Sequence, residues 1–338
     1  ARLADPGEFT KRAFLNGKMD LVQAESVSKL IESRSIEAAN INSKILSGSL
    51  SKKLNTIKES IVGVLAELEF EFDISENESL IPNLITKSHK VINNNILACE
   101  NLIDSYASGL LFNRGARVVI YGNPNVGKST LLNALLEKDR AITSEFPGTT
   151  RDTVDADIVL GGVPVRLIDT AGIRNATSGV ESAGIKRSYD EIKHADLLIN
   201  VVTDEDGVVK NVQTKKTVIV FNKIDLVAPS EKLADAIPVS ALFGDGISDL
   251  KNTIKNKLIS KNTQGSDIVL TTRRQEIAIT SCKNSLSASL KYLNKDAPEL
   301  EIVAYELRDS INHIDALMGK TTVDDILNRV FSGFCVGK

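Results

Sequence analysis

Tryptophan is absent from this chain, and phenylalanine and tyrosine bring the aromatic share of its 338 residues to only 4%. Its cores must therefore be packed with aliphatic side chains. Cysteine is scarce as well: Cys99, Cys282 and Cys335 are odd in number and widely spaced. That excludes a disulfide framework and the close cysteine pairs of a zinc site, and it suits a reducing, cytoplasmic setting. No apolar run approaches the roughly 20 residues that span a bilayer, and no leader-like segment opens the sequence, so no membrane partner is expected. A basic surplus is missing too. With 41 Lys and Arg against 44 Asp and Glu, the net charge is −3, which argues against a globally basic nucleic-acid binder and leaves room only for local patches. Position 1 is Ala1 rather than methionine, and the expectation is a fragment whose N-terminal part is missing.

What is present begins with Gly122-Asn-Pro-Asn-Val-Gly127-Lys128-Ser129. It lies between the strand-like run Arg117–Tyr121 and the helical run Thr130–Leu136. A glycine-rich turn from buried strand to helix start gathers backbone N–H groups and the positive helix end at one point. Lys128 is placed for the β- and γ-phosphates, and the Ser129 hydroxyl for Mg2+. The stretch reads as a nucleotide-binding P-loop.

Three further signals follow in order. Val165–Gly172 is an apolar strand ending in Asp169, the place of a Mg2+-water ligand in P-loop enzymes, and Thr170, Ala171 and Gly172 then offer a backbone N–H and a hinge. Val218–Asp225 is a strand ending in Asn222, Lys223 and Asp225. A carboxylate there accepts from both the ring N–H and the exocyclic amino group of guanine, a donor pair that adenine lacks. Ser240, Ala241 and Leu242 supply a short loop for the guanine carbonyl. Each fragment is weak alone. The ordered set selects GTP over ATP.

Around these signals the sequence is helical. Apolar positions recur at three-to-four spacing from Asp20 to Leu54, again from Ile57 to Phe72, and from Ile81 to about Leu111. Thr271–Leu293 and Glu299–Met318 read as two more helices, and Asp324–Phe331 as a short last one. The expected architecture is an α/β, Ras-like P-loop GTPase domain inserted into a discontinuous all-α helical bundle. Residues 114–262 form the G domain, 20–113 and 263–338 the two parts of the bundle, and 1–19 a remnant or linker. Gly161-Gly162 reads as a hairpin turn. Residues 203–217, between two strands, are too few and too polar for an ordinary crossover helix, so a short or deleted helix is expected there.

At this point the chain resembles the MnmE (TrmE) family of tRNA-modifying GTPases. The resemblance rests on Pro6–Glu25, on Phe146-Pro-Gly-Thr-Thr150-Arg-Asp152 as switch I, and on the terminal Phe334-Cys335-Val-Gly-Lys338, with Val336 where isoleucine is expected. It implies that residues before Asp20 belong to the junction with a folate-binding domain.

The resemblance also implies a site. Nucleotide contacts fall on Asn125, Val126, Gly127, Lys128, Ser129 and Thr130, and on Ser144, Glu145, Phe146, Pro147, Gly148, Thr149 and Thr150. Thr150 joins Ser129 on Mg2+. Ile173 stands where Ras-like enzymes carry the water-orienting Gln, and Ile has no polar atom for that task. In the family K+ supplies the extra charge, here through the Asn125 side chain and the carbonyls of Ser144, Phe146 and Thr149. Pro147 replaces the usual Ala but keeps its carbonyl. Glu181 takes the water-orienting role by resemblance, whereas from sequence alone it reads as compensation of a helix dipole. Cys335 lies by resemblance at the tRNA-modification centre, as nucleophile or positioning group. Lys18 and Lys338 match positions that contact formyl-tetrahydrofolate.

The implied function is K+-dependent GTP hydrolysis, activated when two G domains pair. With the partner MnmG (GidA), the implied product is a tRNA altered at carbon 5 of the wobble uridine, and a homodimer is expected of the intact protein. Two other readings compete: a ribosome-assembly GTPase of the Era or EngA type, and a GTP-gated scaffold. The first needs an RNA-binding Gly-X-X-Gly loop amid basic strands, which the sequence does not show. The terminal thiol argues against the second.

Overall fold

A helix begins where a side-chain oxygen replaces a missing backbone partner. In a computed structural model that describes residues 2–73, 81–136, 155–170, 190–204, 216–259 and 268–320, Asp20 does this for α2 (Leu21–Ile31). Its carboxylate accepts from the Gln23 N–H, and the Gln23 side chain accepts from the Asp20 N–H. Ahead of it, α1 (Glu8–Leu15) occupies part of the segment expected to be linker. Phe14 and Met19 pack against Leu21 and Ala24. Ser35 caps α3 (Ile36–Leu46), and Gly48, with φ 90°, turns the chain into α4 (Ser49–Asp73). The apolar repeat over 20–54 is thus split by a cap and a glycine. Its last part joins the following repeat, because Leu50, Leu54, Ile57, Ile61 and Leu68 form one buried stripe along α4.

The chain divides into two compact units, residues 1–110 with 262–338 and residues 111–261. In the first, α5 (Ile81–Arg114), α8 (Arg273–Leu293) and α9 (Leu300–Met318) join α1–α4. Thr272 and Gln275 cap α8 reciprocally. Gly319, with φ 86°, ends α9 where a Cβ would lie 2.7 Å from the Phe14 ring. The core is aliphatic, built from residues such as Ile92, Leu286, Leu307 and Ile314. Cys99 and Cys282 fall within it and are hydrogen-bonded to each other. That bond and burial hold the Cys282 thiol above its ordinary pKa. Lys58 meets Asp315 at 2.6 Å, tying α4 to α9. The short helix expected at 324–331 lies outside the described residues.

The second unit is a six-stranded sheet of order β2-β3-β1-β4-β5-β6. Its strands are β1 (Ala116–Tyr121), β2 (Asp155–Leu160), β3 (Val163–Asp169), β4 (Leu197–Val202), β5 (Thr217–Asn222) and β6 (Ile237–Val239). All neighbours run parallel except β2, which pairs antiparallel with β3. β4 is buried along its whole length and is apolar at every position but Asn200, as suits a central parallel strand. Gly161 and Gly162 both take positive φ, 57° and 86°, the geometry of a tight hairpin turn. The same unit holds helices α6 (Lys128–Leu136) and α7 (Ile247–Leu258), a 3-10 turn at Glu231–Leu233 and helical residues at 190–194. The expected crossover anomaly falls largely on 205–215, outside the described residues. Among the described residues no helix is long and apolar enough to cross a membrane.

Candidate nucleotide-binding site

Parallel strands deliver their C-terminal ends to one edge of a sheet, and ligands gather there. β1, β5 and β6 each end in a polar loop at that edge, and β3 ends there in Asp169. The first loop, from Gly122 to Gly127, links β1 to α6. A Cβ on Gly122 would lie 2.3 Å from the Val201 carbonyl oxygen, and one on Gly127 would lie 2.4 Å from the Asn222 amide nitrogen. Only glycine lets the loop lie this close to its neighbours. Lys128 is 7% exposed, and its ammonium donates to the Asn123 carbonyl at 2.7 Å. That bond wraps a buried cation around a loop whose N–H groups precede a helix.

Ser129 and Asp169 meet at this edge. The hydroxyl donates to Asp169 Oδ2 at 2.6 Å, and the carboxylate is 2% exposed. Thr170 closes the corner by donating to the Ile120 carbonyl at 3.0 Å. A hydroxyl and a carboxylate side by side are hard oxygen donors, so these residues fit Mg2+. Ala171 and Gly172 lie outside the described residues, as do Ser144, Glu145, Phe146, Pro147, Gly148, Thr149, Thr150, Glu181, Cys335 and Lys338.

The part of the edge formed by the loops after β5 and β6 is assembled through Asn222, which is 2% exposed. Its amide donates to the Val126 carbonyl at 2.8 Å and accepts from the Ala241 N–H at 3.0 Å. One buried side chain thus joins the phosphate loop to the loop after β6. Ser240 donates to Asp225 Oδ1 at 2.6 Å, which fixes the carboxylate and leaves its second oxygen without a partner among the described residues. Leu242 is exposed beside it. Lys223 reaches the other way and donates to the Asn125 carbonyl at 2.8 Å. The Asn125 side-chain amide is exposed and has no partner among the described residues, which fits an oxygen donor to a weakly held cation. Thr130 is exposed in the first turn of α6, and Lys18 is exposed between α1 and α2.

Sequence reasoning misses one participant and the reason for another: it names Gly122 in the motif but not the close approach that requires it. The Asn123 carbonyl carries no residue-type signal, since any residue offers one. Gly122 opens the motif but brings no ligand group of its own, although its close approach to β4 decides where the loop lies.

The family model for the MnmE helical domain matches residues 21–335. The tRNA modification GTPase MnmE of Moorella thermoacetica is 38% identical over 359 aligned residues, covering 100% of this chain and 77% of that protein. The protein of the same name from Thermotoga maritima is 37% identical, covering 100% and 78%. The G domain of the T. maritima FeoB iron transporter aligns with 42% of this chain and 98% of that one, at 24% identity and a TM-score of 0.33, a likeness that says nothing of function. With a family model matched across most of its length and relatives well above 30% identity, the chain belongs to the MnmE family.

Proposed function

We propose that this chain is a GTP hydrolase whose turnover serves tRNA modification. One observation carries the reading: Asn222 joins a phosphate end, built on Lys128, Ser129 and Asp169, to a base end built on Asp225 and Ser240. The named relatives are tRNA modification GTPases.

In hydrolysis, a water oxygen bonds to the γ-phosphorus as the bond to the β,γ-bridging oxygen breaks, and GDP and phosphate leave. The N–H groups of the loop and of the first turn of α6 point to where charge develops, and Lys128 adds a fixed positive charge. Asp225 selects guanine by accepting from its two adjacent donors. Ser129 and Thr150 would hold Mg2+, which would supply charge neutralisation to the phosphates. The Asn125 amide and the carbonyls of Ser144, Phe146 and Thr149 would hold K+, which would supply the charge that an arginine finger gives elsewhere. Glu181 orients the attacking water, because Ile173 has no polar atom to do so.

The finer assignment follows the same reading. Two G domains pair when GTP and K+ are bound, and the chain works in the cytoplasm with MnmG. Carbon 5 of the tRNA wobble uridine is modified with a one-carbon unit from formyl-tetrahydrofolate. Lys18 and Lys338 contact that folate, and Cys335 stands at the modification centre. A net charge of −3 supports a tRNA contact shared with the partner's surface.

The test is GTP hydrolysis in matched KCl and NaCl, with oligomeric state followed in GDP and aluminium fluoride. Stimulation by roughly tenfold or more in KCl, with K+-dependent pairing, is expected. Equal rates in both salts with a monomer throughout would overturn the cation mechanism.

A further inference from the structure

Asn125 and Lys223 are the two non-glycine residues with left-handed backbone among the described residues, each with φ 65°. They belong to different loops, one after β1 and one after β5, and a single hydrogen bond of 2.8 Å joins them. Asparagine tolerates that conformation because its short polar side chain bonds locally, whereas lysine has no such help. A strained lysine persists only where its surroundings hold it. Here they do. Asn222, just before it, is fixed on Val126 and Ala241, and Ile224, just after it, donates to the Val239 carbonyl at 3.3 Å. The Lys223 carbonyl accepts from Leu226 and Val227. The side chain is thereby aimed across the strand ends at the phosphate loop.

We propose that Lys223 is a positioning residue for Asn125: by holding the Asn125 carbonyl in its left-handed turn, it aims the free Asn125 amide for the monovalent cation. The element that carries base recognition then sets cation affinity, so the wrong base weakens the cation site as well as its own contacts. This rests on the reading above that Asn125 holds K+. The carbonyl of Asn125 is occupied by Lys223, which leaves the side-chain amide as the group free to turn outward.

The test is a double-mutant cycle of Asn125→Ala and Lys223→Met in the full chain. The readout is the K+ concentration that half-saturates binding of a fluorescent GDP with aluminium fluoride, which needs no turnover. GDP affinity in NaCl is measured alongside. Lys223→Met should raise the half-saturating K+ concentration by roughly fivefold or more. In the Asn125→Ala background the same change should add nothing, since both act through one group. An unchanged K+ requirement with weakened GDP binding would make Lys223 a nucleotide contact only, and overturn the proposal. Equal, additive effects in both backgrounds would overturn it too. If the unaltered chain binds the mimic equally in KCl and NaCl, the cation reading of Asn125 itself has failed. Lys223→Gln, which keeps a shorter donor, serves the same cycle if the methionine variant does not accumulate.

Discussion

Ser129 donates its hydroxyl to Asp169 across 2.6 Å, joining the first turn of α6 to the last residue of β3. The parallel register brings them together: Ile120 lies beside Asp169, so the loop that follows β1 starts next to the carboxylate that ends β3. If Ser129 holds Mg2+, with Asp169 beside it for one of the metal's waters, Ser129→Ala should lower Mg2+-stimulated GTP turnover by roughly 100-fold. GDP binding in a chelator should be nearly unchanged, because the loop N–H groups and Lys128 remain. A Mg2+ titration of turnover checks it; an unaltered requirement would remove Ser129 from the metal site.

Gly127 bears on both ends of the site. Its φ is 91°, and a Cβ at this position would sit 2.4 Å from the Asn222 amide nitrogen, so alanine strains the backbone and displaces Asn222. Asn222 in turn holds Val126 and Ala241. Gly127→Ala should therefore weaken GDP binding by roughly tenfold or more, about 1.4 kcal/mol. Titration calorimetry beside a circular-dichroism spectrum separates this from unfolding.

The strands were legible in the sequence where burial left no choice of residue. β4 is apolar at nearly every position because both its faces are covered, and the Gly161-Gly162 turn announces itself because both positions need positive φ. The helix breaks were less legible. Periodicity runs on through Ser35 and Gly48, and only the capping geometry shows that the chain turns there. In the site, residue types pointed to Lys128, Ser129, Asp169 and Asp225 because phosphate, metal and base each demand a charge or hydroxyl. The Asn123 carbonyl and the left-handed Lys223 backbone left no such trace: a carbonyl is common to all residues, and lysine has no preference for that turn.

Cys335 can be tested apart from the nucleotide site. Cys99 and Cys282 are buried in the helical core, so each has a packing role of its own. Cys335→Ser in the intact protein should leave GTP turnover unchanged and eliminate modification of tRNA, read by mass spectrometry of nucleosides. A collapse of GTP turnover would recast Cys335 as a structural residue.

Leu307 is fully buried in the aliphatic core of the helical unit. Leu307→Ala removes packed methyl groups and leaves a cavity, which should cost about 3 kcal/mol of that unit's stability. Since Leu307 belongs to one unit and the nucleotide site to the other, GDP affinity should stay within roughly twofold, well under 1.4 kcal/mol. Urea unfolding with parallel GDP titration checks both. A matching fall in affinity would show that the site depends on the bundle's integrity.

Asp225 gives a test that reverses a preference rather than merely losing it. Ser240 occupies one carboxylate oxygen at 2.6 Å, and on the proposed reading the other is left to accept from the base. Guanine presents a ring N–H and an amino group there, both donors; xanthine presents the same N–H beside a carbonyl. In Asp225→Asn, one oxygen can stay with Ser240 while an NH2 group replaces the acceptor. That NH2 opposes the amino group of guanine and donates to the carbonyl of xanthine. GTP should lose roughly 1000-fold in kcat/KM while the xanthine nucleotide gains. Competition between the two triphosphates, with each product quantified, checks the exchange. Equal loss for both would mean that Asp225 holds the loop through Ser240 and does not read the base.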